Sequence, residues 1–434
     1  MRSETYSSSE PRLRFPEFKG AKKWRKLRLV DVADNRKKWS FIGGPFGSNL
    51  KSSDYVPEGI RVIQLQNIGD AEFLDDYKIF TSVEKADELR SNNIYPGEII
   101  LSKMGDPVGR ACLIPDTDDR YVMCSDGIRL VINEKRYSKY FVYVSINSPN
   151  FRSLVHNTST GSTRRRIGLD DLKNLPMHIP TLMEQRKIAD CLGSLDDLIS
   201  AQDQKLESLR QHKQGLLQQL FPQPGETVPK LRFPEFRNAP SWQTESLGDL
   251  GVFTRGLTYK SDDTTSAGLT VLRSSNIQDE RLILNSDLVH VNKECSSRLL
   301  LAKGDIAICM SNGSKSLVGK NAEYIGDHIG NVTVGAFCSI FRAEVDFAKL
   351  AFKTPQYKTF IMREVAGGNI KNLTNSDLES FEFLVPRHQA EQRKIVDCLG
   401  SLDNLISAQE QKLETLRLHK QGLMQQLFPT TENL

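Results

Sequence analysis

"EQRKIADCLGSLD" occupies residues 184–196, and "EQRKIVDCLGSLD" returns at 391–403, 207 positions later. Extended, the pair aligns 184–222 with 391–429, identical at 33 of 39 positions and closing in Leu-Phe-Pro both times. The six changes are mild: Ala189/Val396, Asp197/Asn404, Asp203/Glu410, Ser208/Thr415, Gln211/Leu418 and Leu217/Met424. Apolar residues recur at steps of four and three in the first copy, at Ile188, Leu192, Leu195, Ile199, Leu206, Leu209, Leu216 and Leu220, with Gln202 and Lys213 as polar members. The second copy repeats them as Ile395, Leu399, Leu402, Ile406, Leu413, Leu416, Leu423 and Leu427, with Gln409 and Lys420. This is the heptad signature of a coiled-coil seam, so two long helices are predicted. One such helix alone reads as a dimerisation element. Two near-identical copies are each other's natural partner, and antiparallel packing about a pseudo-two-fold axis would give a rigid rod carrying one domain at each end. Charge nearly balances, six acidic against five basic in the first copy and five against five in the second. That suits protein contact better than phosphate contact.

A second repeat lies upstream: "LRFPEFKGAKKW" at 13–24 and "LRFPEFRNAPSW" at 231–242. The chain is thus a tandem array of opening motif, variable region and long helix, written twice. The variable regions differ strongly but keep a common skeleton. Lys51, Gly59, Val62, Asn67 and Ile68 recur as Lys260, Gly268, Val271, Asn276 and Ile277, and Val108-Gly109-Arg110 resembles Val318-Gly319-Lys320. Short apolar runs such as "IRVIQL" and "EIILS", separated by Gly, Pro and Asp clusters, predict strands and turns with a few helices. The expected fold class is α+β: two mixed α/β domains of one fold, separated by two long helices in an antiparallel coiled coil.

The boundaries follow from these repeats: a tail with the opening motif at 1–23, a first domain at 24–183, the central helix at 184–222, a linker with the repeated motif at 223–241, a second domain at 242–390, and the C-terminal helix and tail at 391–434. With 434 residues, 38% hydrophobic and 26% charged, the chain can bury a sizeable core. Seven Cys are scattered without a C-x-x-C pair, which signals neither a disulfide framework nor a zinc site and favours a reducing, cytoplasmic setting. The polar N-terminus and the lack of long apolar runs weigh against secretion and membrane spanning. Net charge is only +4; residues 24–183 hold 23 Lys+Arg against 20 Asp+Glu, and 242–390 hold 16 against 17. A grip on DNA would therefore rest on local patches.

No catalytic motif is expected in this chain. An amino-methyltransferase needs Asn/Asp-Pro-Pro-aromatic, and the sequence contains no Pro-Pro. "GSKSLVGKN" at 313–321 has five residues between its glycines and Asn321 where a phosphate-binding loop needs Ser/Thr, so it reads as a turn between strands. "GGPFGS" at 43–48 lacks the dinucleotide spacing and reads likewise. The seven His form no metal motif; His212 and His419 belong to the helix repeat. Two rivals stay open: a nuclease built on Asp116, Asp171 and Lys173, and a plain interaction scaffold.

Taken together, the duplication and the segments "GGPFGSNLKSSDY", "GIRVIQLQNI", "YPGEIILSKMG" and "IGLDDLKNLPMHIPTLMEQRKIADCL", echoed by "LTNSDLESFEFLVPRHQAEQRKIVDCL", resemble the specificity (S) subunits of type I restriction-modification systems. The likeness covers nearly the whole chain. It implies two target-recognition domains, each reading one half of a bipartite, asymmetric double-stranded DNA sequence. It also implies two modification (methyltransferase) subunits that dock on the helices, carry S-adenosylmethionine and methylate adenine at N6. Restriction subunits would bring ATP and Mg, and no cofactor or metal would be bound by this chain.

Candidate DNA readers follow from residue type. "TGSTRRRIG" sets Arg164, Arg165 and Arg166 in a polar loop, and the matching "GGNIKNLTN" offers Asn369, Lys371 and Asn372. Arginine can bond guanine O6 and N7 as a fork, and asparagine can do the same with adenine. A solvated or phosphate-contacting loop is the equal alternative. Lys51/Lys260 and Arg110/Lys320 keep positive charge in both domains and read as phosphate contacts; Lys103, Arg273 and Lys315 complete the candidates.

Overall fold

In the first variable region, the run "EIILS" becomes the strand Ile99–Ser102, and both of its faces are covered. Ile99 and Leu101 enter a core with Ile128, Leu130, Phe141 and Val155, whereas Ile100 enters another with Ile63, Cys112, Tyr121 and Met123. Side chains alternate across a strand, so a strand buried on both faces must be apolar throughout. The structure, a computed structural model, describes residues 10–366 and 372–429. It divides into two compact units, 1–203 with 411–434, and 204–410.

In the first unit, Ile99–Ser102 lies in a four-stranded antiparallel sheet between Gly127–Leu130 and Ala111–Leu113, with Phe41–Gly43 on the outer edge of Gly127–Leu130. A five-stranded sheet includes Ile60–Ile63, parallel to Tyr121–Met123. Strand Arg25–Arg28 pairs with Pro176–Ile179 just before the first long helix, Leu182–Leu220. The second unit repeats the plan. Ile306–Cys309 sits between Cys338–Ala343 and Asn321–Glu323, Leu269–Leu272 runs parallel to Val332–Val334, and Gln243–Ser246 pairs with Glu382–Val385 before the second long helix, Gln389–Leu427. Ile306 and Ile308 face one core, Ala307 and Cys309 the other.

The skeleton shared by the variable regions is mostly backbone chemistry. Asn67 is buried; its Oδ1 accepts from the Gln64 N–H (2.9 Å) and its Nδ2 donates to the carbonyls of Leu74 and Tyr77, both at 2.8 Å. Asn276 does the same with the Arg273 N–H (2.9 Å) and the carbonyls of Ile283 and Ser286. Gly109 (φ +72°) and Gly319 (φ +82°) hold left-handed conformations, and a Cβ there would stand 2.5 Å from Val155 or 2.7 Å from Ile361. Only glycine fits both conditions.

The long helices pair antiparallel inside each unit. In the first, Ile188 and Leu192 near the start of one helix share a core with Leu423 and Leu427 near the end of the other. Asp196 takes the Lys420 ammonium, and Asp203 takes Arg417 at 2.9 Å. In the second, Leu216 and Leu220 meet Ile395 and Leu399, Lys213 reaches Asp403, and Arg210 reaches Glu410 at 2.7 Å. Every apolar seam position is buried or half-buried. The seam lysines, half-buried and each held by a carboxylate, fix direction and register, since a slip would strand a charge among apolar neighbours. Burial raises the Tyr140 phenol, and the Asp196 carboxylate that it donates to raises it further. Burial raises the Glu410 carboxyl, but Arg281 and Arg210 outweigh it and hold the group below its usual range.

All seven Cys are free thiols; Cys112, Cys124, Cys309 and Cys338 are buried and Cys191, Cys295 and Cys398 half-buried. Burial pushes Cys112 and Cys338 up to about 12 and Cys124 to about 11. Because the thiolate is the reactive form, alkylation at pH 8 should mark the three half-buried thiols first and the four buried ones only on unfolding. Mass spectrometry of a timed labelling series would show it. Labelling of Cys112 as fast as Cys191 would contradict this packing.

Candidate nucleic-acid interface

Each unit is anchored by a cluster that explains the two repeated motifs. Glu184, 1% exposed at its side chain, accepts from Arg14 Nε (2.7 Å), Arg14 Nη2 (2.8 Å) and Trp24 Nε1 (3.2 Å). Glu391 accepts from Arg232 Nε (2.7 Å), Arg232 Nη2 (2.8 Å) and Trp242 Nε1 (3.3 Å). The next residue is also committed: Gln185 Nε2 donates to the Pro180 carbonyl at 2.9 Å and Gln392 Nε2 to that of Pro386 at 2.8 Å. The Phe of each closing Leu-Phe-Pro packs edge-on against the tryptophan of the same unit, Phe428 on Trp24 and Phe221 on Trp242. Opening motif, helix start and helix end therefore lock together. Sequence reasoning found the repeats but missed this cluster; the signal was the co-repetition of Arg, Trp and Glu.

On this frame the first unit gathers most of its predicted DNA readers. Arg165 and Arg166 form a short antiparallel pair with Gly105 and Met104, so the predicted loop is a two-stranded ribbon. The Ile167 N–H donates to the Lys103 carbonyl at 3.0 Å, which brings Lys103 alongside. Arg164 is exposed, Arg165 Nη1 donates to the His156 carbonyl at 3.1 Å, and Arg166 pairs with Asp126. Arg110, half-buried, donates to the Leu65 carbonyl at 3.4 Å and is held as part of the framework. Lys51 is exposed elsewhere, at the head of the 3-10 turn Ser52–Asp54, where its own N–H donates to Asp54 at 2.7 Å.

In the second unit Lys260 repeats the Lys51 turn, with its N–H on Asp263 at 2.7 Å. Arg273 pairs with Asp287, and its backbone caps the turn that Asn276 closes. Ser311 Oγ donates to Asn372 Oδ1 at 2.6 Å, and Asn312 Nδ2 to Ser274 Oγ at 3.0 Å, forming a polar surface beside Arg273. Lys315 is exposed in the 3-10 turn Lys315–Leu317, and Lys320 is half-buried before the strand Asn321–Glu323. Asn369 and Lys371 lie outside the described residues.

The exposed arginine ribbon and the amide-rich patch offer the donors and acceptors that base edges and phosphates accept. Asp116 is exposed in the turn after Ala111–Leu113, and Asp171 and Lys173 sit in the short helix Leu169–Asn174. Among the described residues no three His, Cys, Asp or Glu gather as a metal site, and no helix is long and apolar enough to cross a membrane.

A family model described as the type I restriction modification DNA specificity domain matches residues 21–211 and again 240–418. The chain belongs to this family. Its two specificity domains thus coincide with the two copies of the framework. The type I restriction enzyme StySPI specificity subunit of Salmonella potsdam is 29% identical over 188 residues, 40% of this chain and 39% of that protein. The EcoKI specificity subunit of Escherichia coli K12 is 29% identical over 189 residues, again 39% of its length. The MjaVIII specificity subunit of Methanocaldococcus jannaschii is 22% identical over 345 residues, 76% of this chain and 75% of that protein. The chain's match to the Salmonella and Escherichia subunits therefore spans well under half of their length. The crystal structure of a type I restriction-modification S subunit from M. genitalium matches with a TM-score of 0.60 at 18% identity, covering 98% of this chain and 100% of that one, a likeness of fold. These matches do not favour the scaffold and nuclease alternatives.

Proposed function

We propose that this specificity subunit reads a bipartite, asymmetric double-stranded DNA target, one half with each domain. The paired helices set the spacing of the halves and dock two modification subunits, which bring S-adenosylmethionine and methylate adenine N6. Restriction subunits, with ATP and Mg, join this assembly in the bacterial or archaeal cytoplasm. The observation that carries the reading is that two copies of one framework present different surfaces, an arginine ribbon in the first unit and an amide-rich patch in the second. Equal frames with unequal surfaces suit a target whose halves differ. With near-neutral domains, the chain alone should bind DNA weakly, and its partners should supply further phosphate contacts.

Co-expression with the methyltransferase subunits of its system, followed by genome-wide mapping of methylated adenines, should return one bipartite motif. Exchanging residues 242–390 for the equivalent domain of another S subunit should replace one half-site and leave the other intact, because each domain has its own core. A change in both halves would refute the modular reading.

A further inference from the structure

The two domains make the same backbone hydrogen bonds at matching positions around this surface. The Lys103 N–H donates to the Asp126 carbonyl at 2.7 Å, and the Met310 N–H to the Phe337 carbonyl at 2.9 Å. The Gly44 N–H donates to Gly127 at 2.7 Å, and the Gly256 N–H to Cys338 at 3.0 Å. The Ile167 N–H donates to Lys103 at 3.0 Å, and the Leu373 N–H to Met310 at 2.9 Å. Strand pairing agrees, Gly127 standing opposite Ser102 and Cys338 opposite Cys309. Position for position, Asp126 corresponds to Phe337 and Arg166 to Asn372. The first domain fills this place with an ion pair, Asp126 and Arg166. The second fills it with a phenylalanine that is 68% exposed.

Phe337 is apolar, exposed and rigidly mounted. Its carbonyl accepts from the N–H groups of both Met310 (2.9 Å) and Ser311 (3.2 Å), and the Cys338 N–H closes the turn on Gly335 at 2.8 Å. Polar groups flank it: Arg255 Nε donates to the neighbouring Ala336 carbonyl at 3.5 Å, and Ser311 holds Asn372. An exposed aromatic ring on a fixed turn among hydrogen-bonding side chains is what a base edge with one apolar feature would need. In the major groove that feature is the thymine C5-methyl group.

We propose that Phe337 is a specificity-determining residue of the second domain, its ring packing on the methyl group of one thymine in that domain's half-site. The proposal rests on the DNA-reading function above and assigns it a residue and a base. Asp126, paired with Arg166, occupies the corresponding place in the first domain. The two half-sites accordingly differ at this position.

The test uses the full chain with its methyltransferase subunits, on duplexes carrying the mapped motif. Each thymine of the second half-site is replaced singly by deoxyuridine, which removes only the methyl group. At one position the wild-type complex should lose about fourfold in affinity, the size expected for one buried methyl. Phe337→Ala should lose a similar factor on the thymine duplex and nothing more on the deoxyuridine duplex, whereas Phe337→Leu should keep part of the effect. The first half-site should be insensitive to both variants. If no thymine responds, or if Phe337→Ala remains fully sensitive to the substitution, the assignment is overturned. A Phe337→Ala loss of affinity without methyl sensitivity would show that the ring acts as a wedge between base steps, which also overturns it. Absence of any bipartite motif for the wild-type complex would instead refute the proposed function itself.

Discussion

Replacing Glu391 by alanine should destabilise the second unit by roughly 3–5 kcal/mol, the usual penalty for stripping one partner from a buried ion pair. Three donors converge on this carboxylate, two from Arg232 and one from Trp242. Its side chain is 1% and that of Arg232 6% exposed, so water cannot take its place. Glu184→Ala should do the same to the first unit through Arg14 and Trp24. Single domains commonly have only about 5–15 kcal/mol in total, so either change consumes a large share. Glu391→Gln keeps the shape and one acceptor and should lose less. Glu414→Ala, on an exposed stretch of the same helix, should stay within about 0.5 kcal/mol. Hydrogen exchange localises the effect: Glu391→Ala should lose protection over 231–246 and 381–399, and Glu184→Ala over 13–28 and 176–192. A loss below about 1 kcal/mol, or one spread evenly over the chain, would refute the anchoring role.

Inserting one heptad after Lys205 and one after Lys412, equivalent positions in the two copies, should change the gap between half-sites and leave their sequences alone. Seven residues return to the same helix face, so the seam stays in phase. Each helix gains about 10.5 Å at 1.5 Å per residue, the length of roughly 3 bp at about 3.4 Å each. The added base pairs turn one half-site by about 100° around the duplex at roughly 10.5 bp per turn, so affinity should fall unless the DNA twists. Methylation mapping reads the gap directly. An active variant that keeps the original gap would show that the helices dock partners without setting the spacing.

Some of this molecule is written locally, and the sequence alone determined it. The heptad seam from Ile188 to Leu220 and its copy from Ile395 to Leu427 specify two helices and a shared interface, because period and burial are properties of one segment. The runs around Ile60 and Ile99 specify strands, and the twofold recurrence of Gly109 and Asn67 as Gly319 and Asn276 specifies one framework used twice. The candidate site was half legible: the arginine run at 164–166 stands out by composition alone, and Lys103 was named beside it. That both belong to one ribbon was not, because it depends on which short strands pair. Arg165 meets Gly105 only through a register that no local pattern sets.

The remainder belongs to tertiary structure. Glu184 looks like any charged first-turn residue of a helix, and only folding brings it Arg14 from 170 positions away and Trp24 from 160. Phe337 looks like a core residue in "VGAFCSIF", since apolar neighbours on both sides predict burial; the turn Gly335–Cys338 directs it outward instead. Hydrophobic period decides what kind of element forms and which residues it hides. Which distant groups then meet, and which apolar side chain is left facing solvent, is decided by strand register and turn geometry, whose energies are shared among partners far apart in the chain.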